Sequence, residues 1–272
     1  MIDKQIQQEL RLKFNPDESQ LRQHQLRMLK MLCDFDAFCK SNDIQYWLTS
    51  GTLLGAVRHG GFIPWDDDAD IGMLRKDYKK LKFSYSKTKG NTKFILQTHK
   101  TDFYYFAPYA KIRDTNSIIK EDNTNVDLLY KYRGIFIDVF IFEPSSSKWI
   151  AKISSVLHNR LLLHALSKIK SDTFRSVYYR GMYVFLYKFV IPILKNLSTL
   201  GPRNVLRHTL GSGFIKKRYY EDIFPLSTLS FEGKEFPVPH NYDKYLRGLY
   251  GDYTILPKID SIEKHTINLK MW

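Results

Sequence analysis

The stretch from Gly51 to Asp70 has the sequence GTLLGAVRHGGFIPWDDDAD, in which a glycine-containing turn precedes four carboxylates within five positions. If the acidic run enters a β-strand, alternation places Asp66, Asp68 and Asp70 on one face and Asp67 on the other. Like charges on one face repel one another unless a cation lies between them. Because every ligand would be an oxygen, we expect Mg²⁺ or Mn²⁺, and such ions commonly accompany phosphate groups.

The sequence on either side predicts the elements that hold this stretch. Helical spacing of apolar residues predicts a helix from Leu21 to Cys39, and a short strand follows at Ile44–Leu48. Thr52–Arg58 predicts a short helix after the turn. A second apolar strand at Gly134–Phe142 carries one central charge, Asp138. A carboxylate among apolar residues must be paired, protonated or metal-bound, so we predict that Asp138 completes the cation site.

This order of elements is typical of a nucleotidyltransferase-like active site. Glycine lets the backbone approach a phosphate, and the N-terminus of a helix offers amide donors and a partial positive charge. Two strands then supply carboxylates for one or two ions that bridge phosphoryl oxygens. We therefore predict an α/β (α+β) fold, with a nucleotidyltransferase-like mixed sheet, flanking helices and a basic helical second half.

The 272 residues carry an uneven charge, with a formal net charge of +14. Between Ala151 and Tyr220, thirteen Lys or Arg residues and one acid, Asp172, give a local charge of +12. We predict two regions. Residues 1–145 form the nucleotidyltransferase-like catalytic core with an N-terminal helix. Residues 146–272 form a basic region, helical to about residue 210, and a C-terminal segment that completes the acceptor side.

The basic segment has two interpretations. Its most apolar part, Met182–Leu200, is interrupted by Lys188, Pro192 and Lys195, which disfavours a membrane-spanning helix. It is either an amphipathic surface that lies on an anionic membrane or a buried helical hairpin with a solvated basic side. No nucleic-acid-binding motif accompanies the basic residues, so no nucleic-acid partner is expected. The N-terminus lacks the apolar run of a secretory signal, which predicts a cytoplasmic protein.

Other residues near the acidic run are weaker candidates. Those that would bind the nucleotide or its phosphates are Gly51, Thr52, Arg58, Lys111 and Arg113. Aromatic residues that would stack on a base or enclose a quaternary ammonium are Trp47, Trp65, Tyr104 and Tyr105. The alternative for each aromatic residue is packing in the core, and for each basic residue it is solvation at the surface.

The motifs resemble those of the LicD family of phosphocholine transferases, which also includes fukutin-like ribitol-phosphate transferases. The resemblance lies in Ser50–Ile71, Lys111–Thr115 and Gly134–Phe140. It continues through Phe231–Gly233, Val238–Leu246 and Tyr250–Asp252, and so spans nearly the whole chain from Leu21.

The resemblance implies roles for the four carboxylates. Asp68 and Asp70 would be the metal-binding pair, Asp66 an additional ligand and Asp138 the carboxylate from the other strand. Asp68, Asp70 and Asp138 would be the catalytic residues, and Asp138 would act as a ligand, as the base, or as both.

The reaction implied is metal-dependent transfer of phosphocholine from CDP-choline to a sugar hydroxyl of a bacterial surface glycan, with release of CMP. The glycan would be lipopolysaccharide, teichoic acid or capsule, and such acceptors are commonly built on a lipid carrier at the inner face of the cytoplasmic membrane. Alternatives are transfer of ribitol, glycerol or ethanolamine phosphate from another CDP-alcohol, a non-catalytic membrane or polyanion adaptor, and a nucleic-acid nucleotidyltransferase.

Overall fold

The computed structural model describes residues 2–88, 90–120, 127–160, 173–258, 262 and 268–271 of the chain. A mixed β-sheet with flanking helices forms its centre, so the predicted α/β (α+β) fold class is confirmed. The helices are α1 Lys4–Phe14, α2 Gln20–Ser41, α3 Ser50–His59, α4 Arg75–Lys87, α5 Lys148–His158, α6 Thr173–Phe185, α7 Ile191–Ser198, α8 Tyr220–Ile223 and α9 Tyr242–Tyr250. A π-helical turn at Leu186–Val190 connects α6 to α7.

The strands are short, apart from one that runs through the middle of the sheet. They are β1 Trp47–Leu48, β2 Asp70–Leu74, β3 Ile95–Gln97, β4 Ala110–Arg113, β5 Ser117–Lys120, β6 Phe136–Pro144, β7 Val205–His208, β8 Arg218–Tyr219, β9 Ser227–Phe231, β10 Lys234–Val238 and β11 Asn268–Met271. Among the described residues, seven of these strands form the main sheet, in which β1, β2, β6, β4 and β3 lie side by side. β7 pairs with the end of β6, and β8 pairs with β7.

The long strand β6 explains the apolar sequence between residues 135 and 142. It is parallel to β2 and antiparallel to β4 and β7, and residues 137–143 are buried throughout. A strand covered on both faces needs apolar side chains on both faces, which gives a continuous apolar run rather than alternation. Asp138 is therefore an exceptional residue in this strand.

The helix α2 packs one face against the core. It begins at Ser19, whose hydroxyl accepts a hydrogen bond from the Arg22 amide, at 3.1 Å. Met28, Leu32 and Phe35 recur at helical spacing and are completely buried in the main hydrophobic cluster. This amphipathic stripe fixes one face of α2 against the core, and the same face carries two polar residues that hold the acidic loop.

The second half of the chain contributes both a small apolar cluster and part of the sheet. Tyr183 and Leu186 pack with Phe106 in that cluster. The predicted helical region ends at Ser198, and the expectation of helix to residue 210 is wrong because Val205–His208 forms β7. Phe142 of β6 pairs with His208 of β7, an arrangement that a local helical pattern cannot show. The division of the chain at residue 145 stays a prediction.

No helix in the described ranges is long and apolar enough to cross a bilayer.

Candidate active site

Two carboxylates are brought together by the pairing of β2 with β6. Asp70 and Asp138 are registered neighbours on these parallel strands, so their side chains leave the sheet on the same face. Lys111 of β4 is the neighbour of Asp138 on its other side, and the Lys111 Nζ lies 3.6 Å from Asp138 Oδ1. The Nζ also lies 3.1 Å from the centre of the Phe136 ring. The predicted phosphate-binding residue Lys111 therefore borders the acidic site.

Asp66 and Asp68 reach the site from a loop. The expected strand over residues 66–69 is wrong, since β2 begins only at Asp70. Two buried residues of α2 hold the loop by its backbone: Gln25 Nε2 donates to the Asp66 carbonyl at 2.9 Å, and His24 Nε2 lies 2.9 Å from the Asp67 carbonyl. Contacts with α2, rather than strand alternation, position these carboxylates.

The start of α3 lies directly against the carboxylates. The Gly51 amide faces the Asp70 carboxylate, where it favours the ionised form and partly opposes the rise in the pKa of Asp70. A Cβ atom at Gly51 would lie 2.8 Å from Asp66 Oδ2 and 4.0 Å from Asp68 Oδ1, so glycine leaves room for both side chains. The Thr52 hydroxyl accepts a hydrogen bond from the Asp70 amide at 2.7 Å, which fastens α3 to the first residue of β2. The hydroxyl of Thr52, which was predicted to bind phosphate, therefore contacts the backbone of the site.

These residues line a cavity of about 580 Å³, called here the acidic cavity. One side consists of the turn and the carboxylates, namely Ser50, Gly51, Asp66, Asp68, Asp70 and Asp138. The other side is basic and aromatic and includes Phe140, His208, Phe214, Lys216, Arg218 and Tyr250. Asp67 is absent from the described lining, as expected from the sequence. The carboxylates on one side are suited to a metal ion. On the other side, the basic residues are suited to phosphate and the aromatic residues to a planar ring or a cation.

Burial and mutual repulsion perturb the carboxylates. Burial raises the pKa of Asp66 well above its usual value, and the neighbouring charges of Asp68 and Asp67 raise it further. The pKa of Asp70 is raised in the same way by burial and then by Asp68, Asp138 and Asp66. Such a cluster is stabilised by a cation, which removes the repulsion that raises both pKa values.

The chemistry of the four carboxylates fits Mg²⁺ or Mn²⁺, because all the available donors are oxygens. In the part of the chain that the structure describes, no three acidic, histidine or cysteine side chains already form a closed ligand set. Binding would thus require these side chains, which already share one cavity, to rotate towards the ion. Asp66, Asp68, Asp70 and Asp138 are the residues that would hold the ion.

Two predicted phosphate-binding arginines lie elsewhere. Arg58 is buried at the end of α3, where its Nε donates to His59 Nε2 at 2.9 Å and its Nη1 donates to the Tyr253 carbonyl at 3.0 Å. Arg113 is completely buried, and it donates to Gln97 Oε1 and to the Gly134 carbonyl, both at 2.8 Å. Neither belongs to the described lining of the acidic cavity, and a phosphate-binding role for either arginine stays a prediction.

The predicted aromatic residues also lie outside the described lining of the acidic cavity. Trp47 is completely buried, with its ring centre 5.3 Å from that of Phe142. The ring of Trp65 packs edge-on against Phe14 at 5.3 Å. Tyr105 is buried and Tyr104 packs against Phe103. Trp47 and Tyr105 therefore pack in the core, Trp65 is partly buried against it, and Tyr104 is half-buried beside the exposed Phe103.

Sequence reasoning missed the basic and aromatic side of the cavity. Phe214 and Tyr250 are 55% and 46% exposed, which leaves their rings accessible beside the carboxylates. Arg218 begins β8, whose pairing with β7 brings it to the cavity, and Lys216 lies two residues before it. The run Lys216-Lys217-Arg218 was a usable signal, because it is the densest basic run in the +12 segment.

His208 completes this side as a neutral group. Burial, aided by the charge of Arg218, lowers the pKa of His208 to about 3. Its ring lies 4.4 Å from Phe142 and 5.3 Å from Phe214, centre to centre. At neutral pH it therefore adds an uncharged polar ring to the aromatic wall.

Residues 43–174 match the family model described as LicD/FKTN/FKRP, nucleotidyltransferase domain. This range contains α3, β2, β6 and all four carboxylates, whereas His208, Lys216, Arg218 and Tyr250 lie beyond it. The family match thus covers the acidic side of the cavity and leaves out most of the other.

Individual relatives are similar over different lengths. The chain is 28% identical over 269 residues to the lipopolysaccharide cholinephosphotransferase LicD of Haemophilus influenzae, and the alignment covers 91% of this chain and 96% of that protein. It is 56% identical over 34 residues to the human ribitol 5-phosphate transferase FKRP, covering 12% of this chain and 7% of that protein. A 40-residue match to the mouse ribitol-5-phosphate transferase FKTN is 45% identical, covering 15% of this chain and 9% of that protein.

Proposed function

Because the chain carries, over residues 43–174, a nucleotidyltransferase domain of the LicD/FKTN/FKRP family, we propose that it is a phosphotransferase that moves phosphocholine from CDP-choline to a hydroxyl of a surface glycan. The observation that carries this proposal is the acidic cavity, where four carboxylates face accessible aromatic and basic residues. The similarity to the Haemophilus influenzae cholinephosphotransferase, which extends over nearly the whole of both chains, supports choline as the alcohol.

The reaction is a displacement at the phosphorus that bears choline. The acceptor hydroxyl oxygen forms the new P–O bond, the bond from that phosphorus to the CMP oxygen breaks, and the hydroxyl proton passes to a base. Asp138 is our candidate for the base, because it lies in the cavity at the registered position beside Asp70. When bound, Mg²⁺ or Mn²⁺ would neutralise the charge that develops on the leaving phosphate.

The protein itself supplies orientation. The Thr52 hydroxyl holds the Asp70 backbone, and the Gly51 amide at the N-terminal end of α3 faces the Asp70 carboxylate, so that α3 helps to orient the ligand set. Lys216 and Arg218 place positive charge across the cavity, where they would bind donor phosphate oxygens. Phe214 and Tyr250 would contact the quaternary ammonium or the cytosine ring. Each of these contacts positions the donor phosphorus near the carboxylates.

The aromatic wall is the feature that favours choline over the other alcohols. A quaternary ammonium cannot donate a hydrogen bond and is bound mainly by aromatic faces. Ribitol and glycerol carry several hydroxyl groups, which need hydrogen-bonding side chains instead. The accessible rings of Phe214 and Tyr250 thus support phosphocholine, while CDP-ribitol, CDP-glycerol and CDP-ethanolamine remain the alternatives to be tested.

Isothermal titration with a panel of CDP donors and Mg²⁺ tests the donor assignment. We expect CDP-choline to bind ~10-fold more tightly than CDP alone, since a cation–π contact contributes about 1–2 kcal/mol. The choline assignment fails if CDP-choline binds no better than CDP, and a preference for another CDP-alcohol replaces it. A Phe214→Leu variant should lose the advantage of CDP-choline while it binds CDP as the wild type does.

A matched pair of variants separates an enzyme from a non-catalytic adaptor. Asp68 lines the acidic cavity, and the adjacent Asp67 is absent from its described lining. We expect Asp68→Asn to lower CMP release by ~100-fold or more, whereas Asp67→Asn keeps the wild-type rate. Equal activity in the two variants would support the adaptor.

We further propose that the acceptor is presented at an anionic membrane surface. Phe185, Phe189, Ile193, Leu197 and Leu200 are all exposed and recur every three or four residues from the end of α6 past α7. Trp149 and Ile153 on α5 are also exposed, one helical turn apart.

Exposed basic residues lie among these apolar side chains, including Lys152 and Lys188. A stripe of large apolar residues with interspersed lysines matches an anionic bilayer in both polarity and charge. A buried helical hairpin, the other interpretation of this segment, would not leave these residues exposed. Binding to anionic vesicles is the direct readout of this proposal.

A further inference from the structure

A second cavity, of about 910 Å³, opens beside the acidic cavity and differs from it in charge. We call it the basic cavity. The two cavities share Ile215, Lys216 and Arg218 as part of their walls. Its basic lining residues include Lys148, Arg207, Lys216, Lys217, Arg218 and Lys244. Nothing in the proposed reaction at the acidic cavity uses Lys148, Arg207, Lys217 or Lys244.

Two of these cations are buried, and neither forms an ion pair with an acidic residue in the described part of the chain. Arg207 is 5% exposed and Arg218 is 4% exposed, and both line the basic cavity. Arg207 Nη1 donates to the Ile215 carbonyl and Arg218 Nη1 donates to the Lys217 carbonyl at 2.9 Å, so these hydrogen bonds go to neutral groups. The Nε atom of each is buried and has no hydrogen-bond partner within the described ranges.

The acidic residues near this cavity are already paired. Asp222, which lines the cavity, lies 2.8 Å from Lys244 Nζ. Arg247 is held at its edge by Asp243, with the Arg247 Nε 2.9 Å from the carboxylate. Burying guanidinium groups together is unfavourable unless an anion or a hydrogen-bonded partner compensates them. The cavity therefore has an excess of positive charge that a bound anion would neutralise.

We infer that the basic cavity binds a phosphate or diphosphate group carried by the acceptor, next to the donor in the acidic cavity. The statement that the acceptor carries this anion rests on the proposed function, whereas the existence of the anion site does not. The two phosphates of the CDP-alcohol donor are bonded to one another, and the transferred phosphorus must lie at the carboxylates. The donor diphosphate is therefore assigned to the acidic cavity. Lys148 and Lys217, which line only the basic cavity, therefore face a second anionic group. Lys148 also begins α5, whose next residue, Trp149, is 71% exposed, so a lipid-linked acceptor would have its lipid beside the proposed membrane surface.

Pyrophosphate binding in EDTA tests the site, because without a metal ion the acidic cavity repels anions. We expect wild-type protein to bind pyrophosphate in isothermal titration and the double variant Lys148→Gln/Lys217→Gln to bind it ~10-fold more weakly, since both exposed lysines line only the basic cavity. Lys79→Gln, an exposed change on α4, is the control and should bind as the wild type does. No binding by the wild type, or equal binding by the double variant, would overturn the inference.

Two further ligands identify the source of the anion. If farnesyl diphosphate binds more tightly than pyrophosphate, the site belongs to a lipid-linked acceptor. If the two affinities are equal, the site binds a phosphate on the glycan. If the wild type binds CMP in EDTA and the same double variant does not, the basic cavity is a nucleotide site and the inference is overturned. Asp68→Asn should abolish transfer and leave pyrophosphate binding intact, so failure of the proposed function is distinguishable from failure of this site.

Discussion

Asp70 and Asp138 are 68 positions apart in the sequence, and the register between β2 and β6 makes them neighbours. The solitary carboxylate in an apolar strand was enough to predict that Asp138 belongs with the acidic run. The grouping of Asp66 and Asp68 with them was also expected, but from strand alternation that the structure does not show. Their position depends on Gln25 and His24 of α2, a non-local contact that no local pattern contains.

A substitution at Gly51 tests whether the reaction needs the close approach of α3 to the Asp66 carboxylate. In Gly51→Ala the new Cβ would lie 2.8 Å from Asp66 Oδ2, so the carboxylate must turn away. The fold should be unharmed, because the displaced atom is the end of a side chain and alanine favours a helix. We expect the rate of CMP release to fall by ~100-fold, the scale of a 1 Å misplacement in an active site.

The matched control for this prediction is Gly181→Ala on α6, where a Cβ atom would meet nothing within 4 Å. Both variants should keep the wild-type melting temperature or exceed it. A Gly51→Ala enzyme with the wild-type rate would show that the close approach of Gly51 to Asp66 has no role in the reaction.

Glu143 links three elements at the end of β6. Its carboxylate forms an ion pair with Arg75 at the start of α4, at 3.1 Å, and with Lys195 of α7, and it accepts a hydrogen bond from Thr209 at 2.8 Å. Burial alone would raise the pKa of Glu143, but Arg75 and Lys195 together lower it to about 2. The folded state therefore favours ionised Glu143 more strongly than the unfolded state does.

A lowered folded-state pKa stabilises the fold at pH values above the unfolded pKa of about 4.5, and this stabilisation is lost as the pH falls towards 2. Glu143→Gln should lower the free energy of unfolding by about 3 kcal/mol at pH 7. The difference from wild type should shrink below pH 4.5 in urea unfolding experiments. Glu235→Gln, at an exposed position of β10, should be nearly neutral. A Glu143→Gln defect that is independent of pH would contradict the ion-pair explanation.

Among the helices and strands, α2, α3 and β6 were predicted well from the sequence because each has a strong local pattern. It failed at β7, whose four residues follow a helical region and are fixed only by pairing with β6. The same failure hid half of the candidate site, since β7 and β8 bring His208 and Arg218 to the acidic cavity. Trp47 was ambiguous for a related reason: its neighbours Gly72 and Phe142 come from distant strands.

The whole molecule presents a row of exposed apolar residues that the proposed function assigns to a membrane. In flotation with vesicles, we expect the protein to bind bilayers rich in phosphatidylglycerol and to bind neutral phosphatidylcholine much less, because the surface is also basic. The triple variant Phe185→Ser/Phe189→Ser/Ile193→Ser should lose this binding and stay folded, since all three side chains are exposed. Phe83→Ser, on the exposed side of α4, is the control. Flotation of the triple variant at the wild-type level would exclude this surface as the contact.

The central claim is that Asp66, Asp68, Asp70 and Asp138 hold the divalent ion that a CDP-alcohol donor requires. Titration with Mn²⁺, followed by the electron paramagnetic resonance signal of the free ion, measures this directly. Wild-type protein should remove Mn²⁺ from solution with an affinity that CDP-choline strengthens, and Asp68→Asn/Asp70→Asn should remove almost none, while Asp67→Asn behaves as the wild type does. Equal Mn²⁺ binding by the wild type and the Asp68→Asn/Asp70→Asn variant would contradict the account.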